Sequence, residues 1–268
     1  MVMIELARDL REEGNELYTF LSALSDEDLR RPTPFKNWTA EDIIQHLVVG
    51  DWFNTLSMTD PDLFKALMQR RLDARAAGAK SSGVEYLDEP VAAGSELLSQ
   101  WHIRFNHLCD LFNDADAKAR MKWVGPDMSI RSAATARLME TWAHGQDMYD
   151  MVQVDRAATD RIRHIAVLGV NTFGWTFQNR NIETPGPTPC VQLVAPSGDN
   201  WNWNDENSEA KVSGRALDFC HVVTQGRHVE ETSLEVTGDT AIKWMAIAQC
   251  FAGPAEDPPK PGLRGWEK

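Results

Sequence analysis

Apolar residues recur at helical spacing through the first two thirds of the chain and give way to short alternating runs in the last third. Residues 3–24 place Ile4, Leu6, Leu10, Leu17, Phe20, Leu21 and Leu24 on one side of a helix. Ser25 followed by Asp28, and Thr39 followed by Asp42, each have the form of a capping box and announce two further helices. The second of these carries Ile43, Ile44, Leu47, Val48 and Trp52 and runs to about Leu56. Asp60-Pro61-Asp62 restarts a helix that ends near Gly78, before the polar, flexible stretch Lys80-Ser81-Ser82-Gly83. A long helix over Pro90–Phe112 turns Leu97, Leu98, Trp101, Phe105, Leu108 and Phe112 inward. Gly125–Ser129 forms a turn, with Ser129 capping a helix over Ser132–Val152, and a last helix covers Asp160–Gln178. Long amphipathic helices with modest connections predict an antiparallel bundle.

The segment Asn179–Pro189 holds three prolines and a glycine and reads as a linker. Beyond it, Cys190–Val194, Asn200–Asn204, Ala210–Val212 and Leu234–Gly238 read as extended, Gly214–Thr224 and Thr240–Phe251 as helical, and the proline-rich tail after Gly253 as irregular. The expectation is an α+β protein with a helical bundle over residues 1–180 and a small α+β domain over 181–268.

The formal net charge is −13, with no basic cluster, so nucleic acid is not an expected partner. No apolar run reaches the roughly 18 residues of a membrane span. The N-terminus has acids where a signal peptide has a basic end, which predicts a cytoplasmic protein with no membrane partner. Cys109, Cys190, Cys220 and Cys250 lie far apart with no Cys-x-x-Cys pair, and read as buried small hydrophobes. A monomer or weak homo-oligomer is expected, since bundle and second domain can cover each other's apolar faces.

The candidate chemistry sits on two helices. Glu140 and His144, at i,i+4, put a carboxylate and an imidazole side by side on one helix face. His46 lies beside the apolar stripe of another helix. Two imidazoles and a carboxylate leave a coordination position open and suit Zn²⁺, and also Fe²⁺, Mn²⁺ or Ni²⁺. Spacing alone is weak support, because Glu/His pairs of this kind are common on helices. A metal would relieve the cost of a buried carboxylate at Glu140. Asp147, three residues past His144, is either an orienting group for a ligand or bound water, or a solvated helix-end carboxylate.

Trp38-Thr39-Ala40-Glu41-Asp42-Ile43-Ile44-Gln45-His46-Leu47, followed by Asp51, and Glu140-Thr141-Trp142-Ala143-His144-Gly145-Gln146-Asp147 resemble the two metal motifs of the mycothiol-dependent maleylpyruvate isomerase family, within the DinB-like bundle superfamily. Leu193–Gly198, Val212–Cys220 and Ala246–Pro254 resemble a metal-binding branch of that family. The resemblance implies a DinB-like antiparallel four-helix bundle, one divalent ion (Zn²⁺ foremost) on His46, Glu140 and His144, and a small thiol such as mycothiol as cofactor. It implies isomerisation of, or S-transfer to, a small electrophilic substrate. Gly226-Arg227 matches the family's C-terminal Gly-Arg pair, so Arg227 would grip a substrate carboxylate, with Arg215 as its competitor. Val222-Val223-Thr224-Gln225 departs from the Trp-Leu-containing run of the isomerase proper, so the resemblance does not extend to maleylpyruvate as the substrate. A hydrolase using activated water and a non-catalytic metal-binding protein remain the alternatives at this point.

Overall fold

The protein is described by a computed structural model covering residues 3–79 and 82–264. Lys80 and Ser81 of the expected flexible stretch, the side chain of Ile4 and residues 265–268 of the tail lie outside the described residues. The helices of the first part are α1 (Met3–Leu21), α2 (Asp26–Leu29), α3 (Ala40–Thr59), α4 (Pro61–Ala76), α5 (Gly94–Asp114) and α6 (Ile130–Val152). Both expected capping boxes are present: the Ser25 and Thr39 hydroxyls accept from the backbone N–H of Asp28 and Asp42, whose carboxylates accept in return. The structure has a DinB-like α+β fold in which α1, α3, α5 and α6 make the four-helix bundle, with α5 packed on both α1 and α3.

Leu10, Leu17, Ile43, Ile44, Leu47, Val48, Trp101, Phe105 and Leu138 fill the bundle core and are essentially inaccessible. A satellite core under α4 joins Val49, Phe53, Leu56, Phe64 and Met68, with Trp52, Tyr86 and Leu87 along its edge. The fifth helix starts at Gly94 rather than near Pro90, because carboxylates from elsewhere satisfy its first amides. Glu41 accepts from Gly94 N and Asp26 from Ser95 N. Ser129 does cap α6 through Ser132 N, and it also belongs to a ribbon of β1 (Arg120–Met121) and β2 (Met128–Ser129) that periodicity did not indicate.

The chain divides into two compact units, Met1–His144 and Gly145–Lys268, with the division inside α6. The segment expected as one helix over Asp160–Gln178 is a 3-10 turn at 160–162 followed by α7 (Arg163–Asn171) and α8 (Phe173–Gln178). The break is at Thr172, whose hydroxyl turns back onto Leu168 O and Gly169 O. Phe173 of α8 packs edge-on to Trp244, and Trp244 to Phe219, which commits these helices to the core of the second unit.

That unit also contains β3 (Cys190–Val194), β4 (Asn200–Trp203), β5 (Lys211–Arg215), α9 (Ala216–Val223), β6 (Glu235–Thr237) and α10 (Asp239–Met245). The sheet order is β4-β3-β5-β6, with β3 and β5 parallel and the other pairings antiparallel. Gly214, expected to open a helix, instead extends β5, where it pairs opposite Leu193 with φ +142°. All four cysteines are free and buried, as their spacing implied. Among the described residues no helix is long and apolar enough to cross a membrane.

Candidate metal centre

Three side chains from two helices converge inside the first unit. The Thr39 capping box fixes where α3 begins, and His46, two turns in, meets Glu140 of α6. The i,i+4 spacing on α6 then places Glu140 and His144 opposite it. His46 Nε2 lies 3.1 Å from Glu140 Oε2, and His144 Nε2 lies 3.5 Å from the same oxygen. One donor atom from each of the three residues falls within 4.8 Å of the others. A tetrahedral cation with bonds near 2.0 Å spans roughly 3.3 Å between neighbouring ligand atoms. The donor set and its spacing therefore fit a divalent ion. His144 is buried, whereas the His46 side chain is 38% exposed and Glu140's 27%, so the cluster opens to solvent on one side.

The protonation states favour ligation. Burial lowers the pKa of His46, more than the neighbouring Glu140 raises it, and keeps the imidazole neutral. Burial alone would raise the Glu140 carboxyl, but hydrogen bonds with His144 and His46 outweigh it and hold the group well below the usual carboxylate range. Neutral imidazole and ionised carboxylate are the forms that bind a metal.

Below the cluster a buried ion pair ties the helices together. Arg137 Nε donates to Asp51 Oδ1 at 3.0 Å, and Trp101 Nε1 on α5 donates to Asp51 Oδ2 at 3.1 Å. Burial pushes the Asp51 carboxyl up to about 6, against the pull of Arg137 and Trp101. Asp51 was legible only as part of the motif around His46, and Arg137 gave no signal, because a helical arginine ordinarily lies at the surface.

Above the cluster stand Phe35 and Trp38. The Phe35 ring meets His144 edge-on at 5.0 Å, and Trp38 lies 5.7 Å from His46 and 6.4 Å from His144, nearly parallel to the latter. Neither aromatic is on a helix, so no periodicity pointed to it.

The remaining expected residues belong to the second unit. Asp147 is buried, not a solvated helix end, and its carboxylate accepts from Arg264 Nη2. Arg227 donates through Nη1 and Nη2 to both oxygens of Asp150, at 2.7 Å each. Arg215 makes the same kind of pair with Asp218, but from a largely exposed side chain. Arg227, Arg215, Arg264 and His221 line a polar cavity of about 590 Å³.

Residues 10–149 match the family model described as mycothiol maleylpyruvate isomerase N-terminal domain, and the chain belongs to that family. It is 39% identical over 249 residues to the uncharacterized protein Rv0036c of Mycobacterium tuberculosis (strain ATCC 25618 / H37Rv), covering 92% of this chain and 95% of the relative. The counterpart in strain CDC 1551 / Oshkosh, MT0041, matches equally. The fold resembles the crystal structure of the mycothiol-dependent maleylpyruvate isomerase, with a TM-score of 0.53 at 15% identity over 97% of both chains. A histidine-to-alanine mutant of that enzyme gives 0.54 at 14% identity with the same coverage.

Proposed function

We propose that this protein is a metal-dependent enzyme that uses a small thiol of the mycothiol type to isomerise a small electrophilic substrate, or to transfer the thiol to it. The observation that carries the reading is the convergence of His46, Glu140 and His144 in a member of this family. These three side chains would hold one divalent ion, Zn²⁺ by the chemistry of the donor set, with one position left open. Such an ion, when bound, favours the thiolate of a thiol and so makes a nucleophile at neutral pH.

The chain's own groups supply the rest. Glu140 and neutral His46 offer lone pairs without first losing a proton. The Asp51–Arg137 pair sets α3 against α6, and Phe35 with Trp38 restricts water on the open side. Arg227 remains the proposed anchor for a substrate carboxylate. With Nη1 and Nη2 engaged by Asp150, the anchor would be its remaining N–H groups, pre-oriented by that pairing. Asp147, held by Arg264, is assigned a supporting role: it fixes the C-terminal segment on α6.

Metal content of protein purified without added metal tests the reading. Wild type should carry close to one equivalent of zinc or another divalent ion, and His144→Ala should lose most of it. Turnover of electrophilic substrates should then require mycothiol or a related thiol. A protein that takes up no metal on reconstitution would overturn the proposal, and thiol-independent turnover would point to hydrolysis.

A further inference from the structure

The chain leaves α9 through a backbone conformation that its sequence does not favour. Gln225 N donates to Val222 O at 3.0 Å and Gly226 N to His221 O at 2.8 Å, the paired bonds of a Schellman cap. The left-handed position of such a cap ordinarily falls to glycine. Here Gln225 occupies it, with φ +57°, and the glycine of the Gly-Arg pair comes one place too late to relieve the strain. Strain of this kind persists only where the surroundings over-determine it.

Gln225 is held by its own amide and its own carbonyl, and it is buried. Its Nε2 donates to Ala248 O at 3.1 Å and to Glu256 O at 2.8 Å, tying down two segments that are neither helix nor strand. Its carbonyl accepts from Arg264 Nη1 at 2.6 Å, and Arg264 Nη2 donates to Asp147. Arg227 follows two residues later, and its N–H shares the His221 carbonyl with Gly226, at 3.2 Å. Gly226 suits this close turn, since a Cβ there would lie 3.2 Å from His221 Nδ1. The Arg227 guanidinium then reaches Asp150, three residues beyond Asp147 on α6. Two arginines thus meet two aspartates about one helical turn apart, Arg264 on Asp147 and Arg227 on Asp150. Gln225 links them: it bonds to one arginine, and the turn it forms leads into the other.

We infer that Gln225 is a positioning residue for Arg227. Held by Ala248, Glu256 and Arg264, it fixes where the Arg227 side chain leaves the backbone and which of its N–H groups face the polar cavity that Arg227 lines. Gln225 itself touches no substrate. It stands in the run that departs from the isomerase proper, so this way of setting the arginine belongs to the chain's own residues. The inference deepens the proposed function and rests on Arg227 being the carboxylate anchor.

The test is side-chain nitrogen NMR of the full chain, with acetate as the probe. A guanidinium fixed by two parallel hydrogen bonds cannot rotate freely, so its Nη groups give separate signals. Arg227, and Arg137 as an internal control, should both do so in wild type, and acetate should shift the Arg227 set. Gln225→Gly keeps the left-handed backbone at no steric cost and removes only the amide. It should merge the Arg227 signals and weaken acetate binding about tenfold, the effect of one lost charge-assisted hydrogen bond. The Arg137 signals should not change, and the thermal midpoint should stay within about 5 °C of wild type. Gln225→Asn tolerates the same backbone but carries its amide one carbon short of both carbonyls. It should behave as Gln225→Gly does, and it provides the answer should that variant fold poorly. Arg227 signals already merged in wild type, still separate in both variants, or lost together with those of Arg137 would each overturn the inference. If acetate leaves Arg227 unmoved in wild type while its signals still merge in Gln225→Gly, the positioning stands and the anchor reading falls.

Discussion

Arg137 on α6 and Asp51 on α3 form an ion pair whose side chains are 5% and 0% exposed, and Trp101 on α5 donates a further hydrogen bond to the same carboxylate. One carboxylate thus joins three helices of the bundle. Arg137 stands one turn before Glu140, and Asp51 little more than one turn after His46, so the pair sets the register in which the candidate ligands face each other. Removing one partner of a buried pair leaves an uncompensated polar group and costs about 3–5 kcal/mol. Arg137→Gln should therefore lower stability by about 3 kcal/mol and weaken zinc binding about tenfold or more. In a urea-melt double-mutant cycle with Asp51→Asn, the double variant should be more stable than the sum of the single losses implies, by about 1 kcal/mol or more. Strict additivity would remove the pair from this role.

Gly14 on α1 sits directly against Phe105 of α5. A Cβ built there would lie 2.1 Å from the Phe105 ring, which is itself completely buried. In an exposed helix Gly→Ala stabilises by about 1 kcal/mol. Here the sign should reverse, with Gly14→Ala losing about 1–3 kcal/mol from overpacking. The thermal midpoint reads the difference, and Phe105→Leu in the Gly14→Ala background should restore part of it.

The helices and their caps were legible because bundle helices write their buried stripe at helical spacing, as α3 does with Ile43, Ile44, Leu47 and Val48. The Glu140/His144 spacing was equally visible, since one helix carries both. His46 stands 94 residues before Glu140, and only the resemblance joined it to the pair. What escaped depends on tertiary contact. Thr172 breaks a helix by bonding back to its own carbonyls, Arg137 is buried only because Asp51 waits for it, and Phe35 faces the site through a turn whose residues do not advertise positive φ. Phe173 and Trp244 share a core across 71 residues of chain (244 − 173), a contact that no local pattern announces.

His221 gives the second unit a dependence on pH. Burial, then the nearby Arg227, Arg156, Arg264 and Arg215, hold its imidazole pKa well below the ordinary 6.5. The folded state keeps it neutral while the unfolded chain takes up a proton below 6.5. Its contribution is therefore fully present above pH 6.5 and is lost as pH falls, by about 1.4 kcal/mol per unit until the folded form also protonates. Thermal melts at pH 7.5, 6.0 and 5.0 should show a steeper acid loss in wild type than in His221→Gln. Parallel curves would show that the imidazole titrates normally.

A divalent ion bound only by the folded protein adds RT ln(1 + [L]/Kd), about 2.7 kcal/mol at a free concentration of 100 Kd. Stripping with a chelator should lower the thermal midpoint of wild type, and added zinc should restore it. His46→Ala, Glu140→Gln and His144→Ala should each be insensitive to both treatments. A chelator shift that persists in all three variants would place the metal elsewhere in the chain.

Arg227 separates a purely substrate-binding role from one that also holds the fold. Its partner Asp150 has a side chain only 1% exposed and also accepts from Gln146 Nε2. Arg227→Met would leave that carboxylate without its cation, so it should cost about 3 kcal/mol or more, as for other broken buried pairs. Lysine restores the charge but not the two-pronged geometry, so Arg227→Lys should recover part of the stability and little of any carboxylate affinity. Asp150→Asn makes the complementary change: it frees the guanidinium, and carboxylate binding should survive or tighten while stability falls. Melts and carboxylate titrations on the three variants read both quantities together. If Arg227→Met is as stable as wild type, the Asp150 pairing is incidental. If Arg227→Lys binds carboxylates normally, the arginine's fork is not what recognises them.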